Sequence, residues 1–206
     1  MADLSSGLYK GLPPTALLPE GQYGLPGAAG VEARLLASGA AATLVARRGA
    51  SGTLLARFAE DGLPLPQGPK AHFAEDVTLV GMGPGRWLAF AQKESPDALA
   101  GRLASLALGA AALTDQSDAN LLFTLSGDRV RDALAKGLLV DLDPLAFGPG
   151  DAATTVMSHV GVTFWQQDAA PTYIFAVPRS FAPAFLRGLA AGAAEYGFAL
   201  SGTGRG

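Results

Sequence analysis

The sequence predicts an α+β fold of two similar lobes, each an antiparallel sheet with helices on one face. Three observations lead there. Apolar runs of strand length outnumber helix-length segments, and helices with a serine at their start follow directly on strands. One strand–helix unit also occurs twice. RWLAFAQKESPDALAGRL (86–103) and PTYIFAVPRSFAPAFLRGL (171–189) align Phe90, Ser95 and Arg102 with Phe175, Ser180 and Arg187, each pair 85 positions apart.

The elements follow in order. Residues 1–30 carry Pro13, Pro14, Pro19 and Pro26 among glycines, which rules out helix or central strand. Leu8, Tyr9, Leu12, Leu17, Leu18, Tyr23 and Leu25 make the segment too apolar for a free linker, so it reads as an extended arm lying along a surface. The first lobe spans 31–109. VEARLLA (31–37) and ATLVARR (42–48) read as strands around Ser38-Gly39. SGTLLARFAE (51–60) reads as a helix with Ser51 as N-cap and Gly62 beyond its end. DVTLV (76–80) and RWLAFAQ (86–92) are strands. Ser95 caps the next helix, Pro96 takes its first position, Leu99, Leu103 and Leu106 recur at helical spacing, and Gly109 stops it.

The second lobe spans 110–200, and 201–206 form a tail. AALTD (111–115) and ANLLFTL (119–125) are strands, and a helix runs from Ser126 to Lys136, closed by Gly137. ATTVMSHV, GVTFWQQ and TYIFAVP supply three further strands, with Asp168-Ala169-Ala170-Pro171 as the turn between the last two. Ser180 caps a long helix whose Phe181, Phe185, Leu189, Ala193 and Tyr196 share one face, and Gly197 ends it. Both faces of the 160–177 hairpin are partly apolar, so one face takes the lobe's helices and the other meets the second lobe or another chain.

Composition narrows the chemistry. The 206 residues are 49% hydrophobic and 16% charged, with a net charge of −3, which gives nothing to attract nucleic acid or an anionic membrane. There are no cysteines, so disulfides, thiolate catalysis and cysteine metal sites are excluded, in keeping with a cytoplasmic protein. The start, MADLSSGLYKG, lacks the basic-then-apolar pattern of a signal peptide, and no uninterrupted apolar stretch of membrane-spanning length occurs.

LVGMGPGRW (79–87) looks like a nucleotide cradle, but a cradle needs a helix after its glycines to supply amides. Here strand-like Arg86–Ala91 follows, Pro84 removes an amide, and the spacing fits neither GxGxxG nor GxxxxGK[ST]. Gly81, Gly83 and Gly85 therefore read as a hairpin corner. His72 and His159 lack partners at metal-binding spacing. Asp115, Asp118, Asp141 and Asp143 fall in or beside turns; Ser117, Ser126 and Ser158 lack a nucleophile elbow; Arg47-Arg48 reads as a solvated strand end. No catalytic, cofactor-binding or metal residue is assigned.

GPGRWL (83–88), TDQSDANLLFTLSGDRVRDALAKGLLVDLDPLAF (114–147), SHVGVTFWQQ (158–167) and YIFAVPRSFAPAFLRGL (173–189) resemble the gamma subunits of heterotetrameric sarcosine oxidase over roughly 31–198. The resemblance implies a non-catalytic subunit of a complex that oxidatively demethylates sarcosine to glycine, with alpha, beta and delta subunits as partners. It places FAD, FMN, NAD, tetrahydrofolate and zinc in those other subunits and none in this chain. It also implies an aminomethyltransferase-like, folate-binding-like fold. LSGDRVRDAL is similar to that wider family's helix entry, with Val130 where alanine is usual, but the hairpin that carries its acid reads Val160-Gly161-Val162-Thr163-Phe164-Trp165-Gln166-Gln167 here. A free-standing folate-binding or aminomethyl-transfer domain, and a scaffold unrelated to amine oxidation, are the alternatives.

Overall fold

Two sheets organise the chain, and each lies mainly in its own compact unit. A computed structural model describes residues 12–37 and 39–203, so Leu8, Tyr9, Ser38 and the last three residues lie outside the described residues. In chain order the first strands are β1 (Gly21–Tyr23), β2 (Val31–Leu35), β3 (Ala40–Ala46), β4 (Ala71–Phe73), β5 (Thr78–Gly83) and β6 (Arg86–Ala91). They are followed by β7 (Ala111–Asp115), β8 (Asn120–Ser126), β9 (Ala152–Met157), β10 (Val160–Asp168), β11 (Thr172–Pro178) and β12 (Phe198–Ser201). The helices are α1 (Ser51–Glu60), α2 (Pro96–Ala107), α3 (Val130–Leu134) and α4 (Ala182–Ala193).

One unit, Ala37–Asn120 with Gly150–Thr154, contains the five-stranded sheet in the order β4-β5-β6-β3-β7. Its core follows from two periodicities. Ala40, Ala42 and Leu44 alternate along β3, and Trp87, Ala89 and Ala91 along β6, so each set faces one side. Leu54 and Phe58 of α1, with Leu99, Leu103 and Ala107 of α2, recur every four residues and join the same cluster.

The other unit takes the described residues up to Leu36, with Leu121–Pro149 and Thr155 onward. Its sheet runs β1-β12-β2-β8-β11-β10-β9. Aromatic residues hold it. Phe164 and Phe175 are cross-strand partners, stacked at 4.9 Å with planes 12° apart. Phe147 stacks on Phe164 at 5.1 Å, and Phe185 of α4 lies 5.6 Å from Phe175 and 5.7 Å from Phe123. Such offset pairs contribute about 0.5–1.5 kcal/mol beyond the area they bury.

The two units share a plan. In one, β3-α1-β5-β6-α2-β7 gives the spatial order β5-β6-β3-β7; in the other, β8-α3-β10-β11-α4-β12 gives β10-β11-β8-β2-β12. Both are β-α-β-β-α-β arrangements, the second with β2 inserted between its first and last strands. The two-lobed α+β reading holds, but β12 departs from antiparallel pairing by running parallel to β2.

The lobe boundaries differ from 31–109 and 110–200. β2 pairs with β8 and β12, strands distant in sequence, so Val31–Leu35 sits with the C-terminal half of the chain. Nor is 1–30 a separate arm in its described part. Leu18 is fully buried, β1 pairs antiparallel with β12 at the sheet edge, and Leu25 N–H donates to Ala194 O. The guanidinium of Arg187 donates to the carbonyls of Pro13 (2.9 Å) and Pro14 (2.7 Å). The 201–206 tail likewise begins inside β12, and Thr203 Oγ1 donates to Leu18 O.

Three helix starts also differ. The N-cap of α1 is Ala50, whose carbonyl accepts from Leu54 N–H; Ser51 is the first helical residue and makes no cap. The helix read over 126–136 shrinks to Val130–Leu134. Ser126 is held in β8 opposite Glu32, and Gly127 turns at φ +111°, where a Cβ would overlap the Gly30 carbonyl. Ser180 lies in a 3₁₀ turn, Arg179–Phe181, and α4 starts at Ala182 because Pro183, lacking an N–H, fits the first helical turn.

Ser95, in contrast, caps α2 by accepting from Ala98 N–H at 3.2 Å, with Pro96 in the first turn. Ser95→Ala should therefore cost about 1 kcal/mol of stability. Ser180→Ala should stay within about 0.5 kcal/mol of the unmodified chain. Urea unfolding midpoints of the two variants check the contrast.

Candidate functional site

The glycine stretch 81–85 is a corner. Residues Gly81 and Gly83 span a register shift between β5 and β6, and Pro84 with Gly85 (φ +66°) fills the turn, as a type II geometry favours. Strand β6 follows at once, so no helix amides converge there. A Cβ on Gly81 would overlap the Gly68 carbonyl oxygen, which accounts for the glycine by close backbone approach.

The same corner walls a cavity of about 620 Å³ within the five-stranded unit. Leu55, Pro66, Pro69, Met82 and Trp87 give it a mainly apolar surface, with Ser51, Gln67 and Thr154 as its polar side chains. The Trp87 indole N–H donates to Pro66 O at 2.8 Å and fixes the ring. The volume suits a small organic group. No titratable side chain lines it, so it offers packing and hydrogen bonds but no proton transfer.

The seven-stranded unit has a second concavity, of about 380 Å³, over one sheet face. Register puts Glu32 opposite Ser126 and Arg34 opposite Thr124, and Ser201 neighbours Arg34 on β12. The face is polar because VEARL alternates, burying Val31 and Ala33 and leaving Glu32 and Arg34 exposed. That alternation was visible in the sequence as a strand signal; its meeting with Thr124 and Ser126 was not.

The residues weighed from sequence are dispersed. His72 is in β4 opposite Leu79, and His159 sits exposed at φ +70° in the β9–β10 turn, in the other unit. Among the described residues no group of three metal-ligating side chains forms. Ser158 precedes it at φ +47°, against Gly137 and Gly188, both of which lack room for a Cβ beside it. Arg47 Nε donates to Gly109 O at 2.9 Å, and Arg48 is exposed.

The aspartates serve turns. Asp141 Oδ1 accepts from Asp143 N–H at 2.9 Å, and Asp143 Oδ1 accepts from Leu145 N–H at 2.8 Å. Asp168 Oδ1 accepts from Ala170 and Thr172 N–H, which commits that carboxylate to the β10–β11 turn. Upstream of it, Val162, Thr163, Phe164 and Trp165 are all buried, at 6% exposure or less. Gln166 is buried too; its Nε2 donates to Asp168 O, and its Oε1 has no hydrogen-bond partner among the described residues. Tyr173, its cross-strand neighbour, has its phenol pKa raised by burial, opposed by Arg131, whose Nε donates to Tyr173 Oη at 3.1 Å.

Ser117 is a latch. Its hydroxyl accepts from Ala41 N–H at 3.0 Å and donates to Asp115 Oδ1 at 2.6 Å, and its own N–H donates to the same oxygen. The hydroxyl first, then the amide, lowers the Asp115 pKa, against a smaller opposing effect of desolvation. A carboxyl depressed in the folded state stabilises it above the unfolded pKa, and the effect fades as pH falls through the folded value. Ser117→Ala should shift the Asp115 carboxyl titration upward, toward an ordinary aspartate. A ¹³C NMR titration of Asp115 reads the shift directly.

No protein-family model matches the chain. It is similar to the sarcosine oxidase subunit gamma of an Arthrobacter species, 34% identical over 122 residues, or 58% of each chain. It is also similar to that of Corynebacterium sp. strain P-1, 31% identical over 126 residues, or 61% of each chain. The matched stretch is thus less than two thirds of those relatives' own length. Among solved structures, a chain of the heterotetrameric sarcosine oxidase from Corynebacterium sp. U-96 superposes with a TM-score of 0.70 at 24% identity, covering 81% of this chain and 85% of that one. Aminomethyltransferase T of the glycine cleavage system from Bartonella henselae gives 0.61 at 12% identity, covering 84% and 48%. The chain therefore shares the fold of both.

Proposed function

We propose that this chain is the gamma subunit of a heterotetrameric sarcosine oxidase. In this reading the complex is cytoplasmic and oxidatively demethylates sarcosine to glycine, passing the one-carbon unit to tetrahydrofolate. The alpha, beta and delta subunits are its partners and hold FAD, FMN, NAD, tetrahydrofolate and zinc, while this chain holds none and supports the assembly without catalysing a step.

One observation carries the reading: two gamma subunits align at 34% and 31% identity, and a sarcosine oxidase chain has the same fold across 81% of this one. The local chemistry supports the non-catalytic part. Where the aminomethyl-transfer alternative needs a carboxylate on the hairpin, Val162, Thr163, Phe164 and Trp165 are buried and cannot titrate. Asp168, the next acid along, is spent on backbone amides of its turn.

Purified alone, the chain should be colourless and inactive on sarcosine, and it should copurify with the large subunits when co-expressed. Tetrahydrofolate titrated into it should show no saturable binding at micromolar concentrations. In the assembled oxidase, Asp168→Asn and Asp115→Asn should leave turnover within about twofold, because each carboxylate bonds within its own turn. Stoichiometric flavin on the single chain would overturn the cofactor-free reading, and a hundredfold fall in turnover with an intact complex would promote the folate-enzyme alternative.

A further inference from the structure

The segment after α3 combines a fixed backbone with unusual exposure. Leu142 and Phe147 are buried at 6% exposure, and the Phe147 ring stacks on Phe164. Around these two anchors the backbone is closed on itself: Ala146 and Phe147 N–H both donate to Asp143 O, and the Asp141 and Asp143 carboxylates accept from Asp143 and Leu145 N–H. Leu139 N–H donates to Val156 O of the edge strand β9. On this frame Leu145 is 100% exposed and Leu139 76% exposed, with Val156 at 40% beside Leu139.

A loop held this firmly does not present leucines to water for lack of alternatives. The sequence LLVDLDPLAF buries some of its apolar residues and displays others at chosen places. Exposed leucines on a preorganised backbone lose little conformational entropy on docking, and they supply the apolar centre that interfaces use. Asp141 and Asp143 stand between the displayed leucines in sequence, and among the described residues neither makes an ion pair. That charge pattern selects the occupant. A second copy would set carboxylates against carboxylates, and an anionic bilayer would repel them as well.

We infer that the 138–147 loop is a docking element for another protein subunit, one with an apolar socket for Leu139 and Leu145 bordered by lysine or arginine. This rests on the gamma-subunit reading, since that reading supplies the partner. The leucines provide the affinity, and the aspartates orient the approach and raise the association rate.

The test uses the full chain and the remaining subunits expressed without it, with binding followed by biolayer interferometry. Leu139→Ala/Leu145→Ala should weaken binding at least about thirtyfold. Asp141→Asn/Asp143→Asn keeps both turn-closing acceptors while removing two charges. It should slow association about fivefold at low salt, a difference that disappears near 0.5 M salt. Both variants should melt like the unmodified chain; Leu145→Ser alone, at the fully exposed position, serves if the double leucine variant does not. If the unmodified chain binds and the leucine variants bind equally well, the docking inference fails while the subunit reading stands. Faster association of the asparagine variant would overturn the basic rim. If the unmodified chain does not bind the other subunits at all, the subunit reading falls, and the inference with it.

Discussion

The parallel pairing of β12 with β2 governs how the chain is divided. Phe198 lies opposite Val31, and Ser201 opposite Arg34, so the last strand settles beside one of the first. Antiparallel neighbours can close through a tight turn, but parallel strands need a long connection between them. Here that connection includes the whole five-stranded sheet and strands β8 to β11 of the other. Once β12 is in place it has a second edge, and β1 occupies it through Gly21, Gln22 and Tyr23. The proline-broken N-terminal segment can lie there because the outer side of an edge strand needs no donor from proline. The unit that holds β1, β2 and β12 is therefore discontinuous in sequence, and Ala37–Asn120 belongs to the other unit.

This explains what the sequence could and could not reveal. The bounds of α1 at Ser51–Glu60 and the cap of α2 at Ser95 are local matters, settled by apolar spacing and a single hydroxyl. β1, β4 and β12 are three or four residues long, too short for a period of two to register. They exist because longer strands offer them an edge. The division into units depends on pairings such as Glu32 with Ser126, and nothing near either residue announces the other. The shortened α3 has the same cause: Ser126 has good N-cap chemistry, but a partner strand claims its backbone first.

The chemistry was legible mostly by what the residues lack. A glycine run followed by a strand cannot aim amides at a phosphate, and the corner at Gly81–Gly85 obeys that rule. The cavity beside it was not legible, because it needs Ser51 from a helix, Gln67 from a loop and Thr154 from a distant stretch of chain to meet. The buried hairpin faces were visible in the alternation of Tyr173, Phe175 and Val177 with Ile174 and Ala176. All five are at 4% exposure or less, so neither side of that strand is free for water.

The doubled β-α-β-β-α-β plan shows how one framework position acquires two uses. Arg102 and Arg187 occupy matching places on the second helix of each unit. Arg102 reaches carboxylates, with Nη1 3.0 Å from Asp76 Oδ2 and Nη2 beside Glu94. Arg187 turns its planar fork on two successive backbone carbonyls, those of Pro13 and Pro14. Arginine suits both, since its donors diverge in a fixed geometry and its charge persists at any working pH. The acceptors differ in kind. Asp76 and Glu94 offer side-chain carboxylates, whereas Pro13 and Pro14 offer backbone carbonyls. Proline strengthens the second arrangement, because its ring narrows the backbone freedom that would otherwise be lost when the segment is held. The proline-rich segment is thus fastened to the seven-stranded unit at two backbone carbonyls, while the equivalent arginine in the other unit joins two acidic side chains.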